Sequence, residues 1–123
     1  MRSSTWIWKH GAAKRLREGL PDADNPRRPF DDERVAMAPD KPGVYFLYRH
    51  TRVVYIGLAP RGSGIRRELA RRLRDTPAAT AFDCVACDEP IALYRRCMAR
   101  YVDEHHGLPQ LNHQALMERP RSE

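Results

Sequence analysis

Residues 41–59, KPGVYFLYRHTRVVYIGLA, hold two runs rich in β-branched and aromatic residues, Val44 to Tyr48 and Val53 to Leu58, on either side of a short basic turn. Such side chains suit a pleated, half-buried surface, so the stretch predicts a β-hairpin. Each run carries a tyrosine close to a glycine, in Gly43-Val44-Tyr45 and in Tyr55-Ile56-Gly57. Side chains on a strand alternate between faces, so whether Tyr45 and Tyr55 meet depends on the turn. A three-residue loop at Arg49, His50 and Thr51 pairs Leu47 with Val53, Phe46 with Val54 and Tyr45 with Tyr55, which puts both phenols on one face. A two- or four-residue loop sends them to opposite faces, one of them into the core. The flanking glycines allow another backbone or a ligand to approach where a side chain would obstruct it.

The rest of the chain supplies helices and one more strand. Residues 8–20 place Ala12, Leu16 and Leu20 on one stripe and predict a short amphipathic helix ended by Pro21. A proline-punctuated connector follows, and DDERVAMA can make about two helical turns from an Asp31 cap. Beyond the loop APRGSG, IRRELARRLRD predicts a helix, TAFDCVACD alternates like a third strand, and EPIALYRRCMARYVDEHH predicts a long helix ended by Gly107 and Pro109. The tail from His113 to Glu123 is expected to fray. With 123 residues there is room for one domain with one modest core.

Charge narrows the class of partner. The chain carries 22 Lys and Arg against 16 Asp and Glu, a net charge of +6, and the basic residues are mostly arginine. Arginine grips phosphate at two points, and neutralising phosphates releases counterions, so this balance suits nucleic acid. A GC-rich coding sequence gives the same arginine bias, and position has to decide between the two. No apolar run reaches the ~20 residues of a membrane helix, and the opening MRSSTWIWKHG is too short and polar for a secretory signal. The expectation is a cytoplasmic protein that does not enter a membrane. Three cysteines, Cys84, Cys87 and Cys97, cannot form a closed disulfide set and are expected to be free thiols. Together with His105 or His106 they contain enough ligand types for zinc, but Cys84 and Cys87 lie three apart and point to opposite faces of a strand.

On the helix IRRELARRLRD, Ile65, Leu69 and Leu73 cluster on one side and Arg67, Arg71 and Arg74 on the other. With Arg66, these last three are candidate contacts to nucleic-acid phosphates. Arg72 falls at the edge of the apolar face, so its stem can pack inward while its guanidinium reaches a cleft beside the sheet. A fork placed there can stabilise charge on a phosphoryl group.

The order strand, strand, helix, strand, helix, with the two tyrosine words in front and Pro109-Gln110-Leu111-Asn112 at the end, resembles the GIY-YIG nuclease superfamily over roughly residues 41–112. The resemblance implies a small α/β (α+β) module with a central three-stranded antiparallel sheet flanked by helices. It divides the chain into an N-terminal helical or basic extension (1–40), the module (41–112) and a C-terminal tail (113–123). It also implies hydrolysis of phosphodiester bonds in DNA with Mg²⁺ or another divalent metal. In that reading Tyr45 is general base or water positioner, Tyr55 holds the phosphate or the water, and Arg72 matches the arginine of an L-x-x-R-L pattern, with Arg67 second. Asn112 completes the catalytic set, and Thr76 stands where the family often has His or Tyr.

The family's metal-binding glutamate, upstream of the asparagine on the long helix, has no counterpart: Tyr94, Arg96 or Arg100 holds the position. Glu104 is the expected substitute ligand, with Glu89 behind it. The alternative is a degenerate module that binds nucleic acid or a protein partner without cleaving.

Overall fold

The computed structural model describes residues 27–76 and 78–118, with side chains as far as Ala115. The helix expected over residues 8–20 lies outside the described residues. Eight elements follow in chain order: β1 (Arg28–Pro29), α1 (Asp32–Ala36), β2 (Gly43–Arg49), β3 (Arg52–Ala59), α2 (Ile65–Asp75), β4 (Ala81–Ala86), α3 (Pro90–His105) and α4 (Gln110–Glu118). The fold is mixed α and β. The sheet is antiparallel throughout, in the order β1-β4-β2-β3. It has four strands rather than the expected three, because Arg28 and Pro29 pair with Phe82 and Ala81 on the outer edge of β4. Two residues with proline at the second are a weak strand signal, which is why local pattern does not disclose β1.

The sheet separates two cores. Alternation sends Val44, Phe46 and Tyr48 to one face, where they meet Ile56, Val85, Leu93 and Cys97 under α3. The same alternation sends Tyr45 and Leu47 to the other face, where Val54, Phe82 and Cys84 pack against Ile65 and Leu69 of α2. Phe30, Val35 and Ala38 belong to this second core, so residues 27–40 are built into the domain. α1 starts as expected at Asp31, whose carboxylate accepts from the Arg34 N–H at 2.9 Å. On the α3 face the Tyr48 hydroxyl reaches the buried carboxylate of Asp83 at 3.2 Å, and the Arg27 guanidinium lies 4.3 Å from the centre of the Tyr48 ring. Burial and the neighbouring carboxylate of Asp83 push the Tyr48 phenol well above its usual range.

The C-terminal segment differs from expectation. Residues from Gln110 form α4, and the first-turn bond from the His113 N–H to the Pro109 carbonyl is 3.0 Å long. QLNHQALME contains mostly good helix formers; α3 closes at the left-handed cap of His106, and Pro109 stands immediately before α4, so the proline expected to end one helix starts the next. α4 is fastened to the sheet by Asn112. Its Oδ1 accepts from the Ile56 N–H at 2.8 Å and its Nδ2 donates to the Ile56 carbonyl at 2.9 Å. β3 is an edge strand, so these groups of Ile56 lack a strand partner and the amide stands in for one. Among the described residues no helix is long and apolar enough to cross a membrane.

Replacing Asn112 by Ala leaves the two Ile56 groups without their partner and is expected to cost about 1–3 kcal/mol. The Ile56 amide, protected in the wild type, will exchange rapidly with solvent in Asn112→Ala, and unchanged protection would show that α4 is held by other contacts.

Candidate phosphate-binding site

The hairpin turn has two residues, with Arg49 opposite Arg52. By simple alternation that loop would separate the two tyrosines. They nevertheless share a face, because the ladder slips between Leu47 and Tyr48: Leu47 faces Tyr55, while Tyr48 faces Val53, and Val54 is the extra residue. One bulge residue added to an even loop restores the parity that an odd loop would have given. Tyr45 then stands opposite Gly57 and diagonal to Tyr55, with ring centres 6.0 Å apart and planes tilted by 39°.

Gly57 has a specific packing role. A Cβ built there would lie 2.1 Å from Cζ of Tyr45, so the Tyr45 ring occupies the space over the glycine. At Gly43 a Cβ would fall 2.0 Å from the Val85 carbonyl oxygen, inside the β2–β4 pairing. The close approaches that glycine permits are made here by an aromatic ring and by backbone.

Arg72 comes to the tyrosines from α2. Its Nε donates to the Tyr45 hydroxyl at 3.3 Å, and its guanidinium carbon stands 4.7 Å from the centre of the Tyr55 ring. The hydroxyl therefore accepts from Arg72 and keeps its own proton to donate. Burial raises the Tyr45 pKa above the phenol range, the proximity of Tyr55 adds to that, and the bond and charge of Arg72 offset only part. Near pH 7 the Tyr45 phenol is neutral and able to donate. For Arg72, burial alone would lower the pKa, but the hydrogen bond to Tyr45 and the fields of Tyr45, Tyr55 and Glu68 outweigh it, so the guanidinium stays charged.

Glu68, which the sequence reading passed over, lies one helical turn before Arg72 and is buried. Its Oε1 accepts from Arg71 at 2.7 Å and its Oε2 from the Ser63 hydroxyl at 2.8 Å. The signal for it was spacing: a carboxylate four residues before the edge-facing arginine shares its side of the helix. Of the other basic candidates on α2, Arg66 donates to the Ala38 carbonyl at 2.8 Å, while Arg67 and Arg74 are exposed.

Glu104, an expected site residue, is elsewhere. Glu104 is exposed on α3, pairs with Arg100 at 3.2 Å and lines a cavity with Phe46 and Ile56, on the opposite sheet face from Tyr45. The long helix packs over the face away from the tyrosines, so no shift of register brings Glu104 to them. Asn112 stands beside Tyr55, with its oxygen and one amide N–H bonded to the backbone of Ile56. Glu89 is exposed at the N-cap of α3. Of the residues that could hold the glutamate position, Tyr94 is half-buried and its phenol is raised by burial first and then by Tyr55. Among the described residues no three of His, Cys, Asp and Glu come together to hold a metal ion. Glu68 is paired with the Arg71 cation and accepts from Ser63, so among the described residues the side chains as they stand form no cluster that suits Mg²⁺. No protein-family model matches the chain, and neither does any curated protein or solved structure.

Gly57→Ala forces the Tyr45 ring off its seat. It is expected to cost roughly 1–3 kcal/mol by overpacking and to break the contact with Arg72. A thermal melt together with loss of ring-to-ring NOEs between Tyr45 and Tyr55 would report both effects.

The raised phenols also give a pH signature. Unfolded tyrosines lose protons near pH 10, whereas Tyr45 and Tyr48 hold theirs in the folded state. The stabilisation is complete below the unfolded value and is lost as pH rises toward the folded one. Absorbance titration should show these two tyrosines ionising late, with the melting temperature falling above pH 10; ionisation with the ordinary phenols would contradict it.

Proposed function

We propose that the chain is a GIY-YIG-like module that binds the phosphodiester backbone of DNA at Tyr45, Tyr55 and Arg72, and that it does so without the family's metal carboxylate. The observation that carries this reading is the meeting of two phenols and a guanidinium from three separate elements, with Arg72 bonded to one phenol and stacked on the other. A phosphate oxygen needs donors, and the cluster supplies them. Nε of Arg72 is committed to Tyr45, which leaves the two terminal nitrogens of the fork for an anion. Tyr45 donates its own proton at the same place. The Tyr55 ring covers one face of the guanidinium and limits its hydration, which strengthens its grip on a charged ligand.

Exposed Arg67 and Arg74 on α2 and the net charge of +6 add a nonspecific attraction for a polyanion. Glu68 restrains Arg71, whose side chain is 58% exposed. The free thiols of Cys84, Cys87 and Cys97 suit a reducing compartment, in keeping with a cytoplasmic protein.

Hydrolysis is the second reading, favoured by the buried Glu68 carboxylate near Tyr45 and Arg72, whose field reaches both groups. Exchange of its present partners for a divalent ion would be required. One set of measurements separates the two. Anisotropy titration with labelled duplex DNA should show binding that weakens with salt by about 0.9 log units per log unit of salt for each phosphate neutralised. Arg72→Ala should lose roughly 1.5–3 kcal/mol, at least ten-fold in Kd, while Arg72→Lys keeps charge without the fork and falls between. Supercoiled plasmid incubated with Mg²⁺ should stay intact. Nicking that needs the metal and disappears in Glu68→Gln would establish the second reading, and absence of DNA binding at low salt would remove the first.

A further inference from the structure

We infer that the tip of the β2–β3 hairpin is a second backbone-phosphate contact for the same nucleic-acid strand, an inference that rests on the DNA-binding reading above. Arg49, His50, Thr51, Arg52, Val54 and Gln110 line a cavity of about 280 Å³. Two guanidiniums, an imidazole, a hydroxyl and a carboxamide surround it, with no acidic residue in its wall.

Its position follows from the strand register. Arg49 lies two and four residues beyond Leu47 and Tyr45 on β2, so alternation turns it to their face, and its partner across the turn is Arg52. By register Arg49 and Arg52 leave the sheet on the side of Tyr45, Tyr55 and Arg72, while Thr51 and Arg52 also border the Glu104 cavity at the opposite face. Tyr55 and Arg52 are three residues apart on β3, about 10 Å at the rise of an extended strand. That reach suits one continuous backbone touching Arg72 at one point and the tip at the next.

The backbone of the tip is braced, and so is one of its cations, Arg49. The His50 N–H donates to the Thr80 hydroxyl at 3.1 Å, and the Thr80 N–H donates to the Tyr48 carbonyl at 2.7 Å. Arg49 donates through Nε to the Ala78 carbonyl at 3.4 Å, which leaves its terminal nitrogens for a ligand. His50 holds φ at +59°, a left-handed conformation that turns its side chain and the chain direction at once. Arg52 is exposed. None of these residues belongs to the tyrosine cluster, and none was a candidate on sequence grounds.

The test is a salt series of anisotropy titrations on fluorescein-labelled, mixed-sequence duplex DNA with the full chain, Arg52→Gln and Gln110→Glu. Arg52 is exposed and Gln110 stands at the cavity wall, so neither change removes a core contact. Arg52→Gln is expected to flatten the salt slope by about 0.9, the loss of one phosphate contact. Gln110→Glu should weaken binding by placing a negative charge in the cavity. Arg72→Ala should lower affinity independently of both. Wild-type binding with an unchanged slope in Arg52→Gln and unchanged affinity in Gln110→Glu overturns the tip contact while leaving the tyrosine cluster standing. No wild-type binding at low salt overturns both.

Discussion

Everything at the candidate site depends on the parity of one strand pairing. In β2 and β3 a shift of one residue exchanges the two faces of the sheet, and Tyr45 and Tyr55 lie on different strands. The two-residue turn alone gives the wrong parity. Val54 corrects it by standing unpaired in the ladder, with its own side chain buried among the residues under α2. The bulge thus sets the relative position of the phenols and, by bending the strand, the aim of Tyr55 toward the guanidinium that descends from α2.

Once the two rings share a face, the remaining geometry follows from volume and charge. The Tyr45 ring can lie flat only where its neighbour has no side chain, and Gly57 is that neighbour. A buried phenol resists ionisation, so the Tyr45 hydroxyl takes a hydrogen bond from Arg72 and retains a proton for a ligand. A guanidinium stacked on Tyr55 and bonded to the Tyr45 hydroxyl attracts an anion, and Glu68, whose field reaches it, is occupied by Ser63 and Arg71. That division leaves Arg72 available to a phosphate without leaving a buried carboxylate unsatisfied.

The sheet also acts as a partition. Its second face carries α3, the buried Asp83 with its Tyr48 and Arg27 neighbours, and the exposed Arg100–Glu104 pair. An acid on the outward side of α3 has a full layer of β-structure between it and the tyrosines. The edge of the partition is closed by Asn112, whose carboxamide imitates a strand at Ile56 and holds α4 beside the site.

The sequence by itself determined the elements that depend on short-range chemistry: the hairpin from β-branched and aromatic runs, the Asp31 cap, the helix of Ile65–Asp75 and the proline start of α3. It also singled out Arg72, because helical spacing puts that residue at the boundary between the Ile65–Leu69 face and solvent. Tertiary structure decided what spacing does not encode. A bulge costs one residue and has no compositional mark, so a two-residue turn by itself would have placed the tyrosines on opposite faces. β1 is too short to have a period, and α4 begins just after Pro109, where the local pattern marks only a helix end. Whether a carboxylate on α3 could reach the tyrosines was a question of which face of the sheet the helix covers, and that is settled by the alternation of Val44, Phe46 and Tyr48 against Tyr45 and Leu47 packing on different partners. Local pattern fixes which way a side chain points from its own strand, while only packing fixes what stands opposite it.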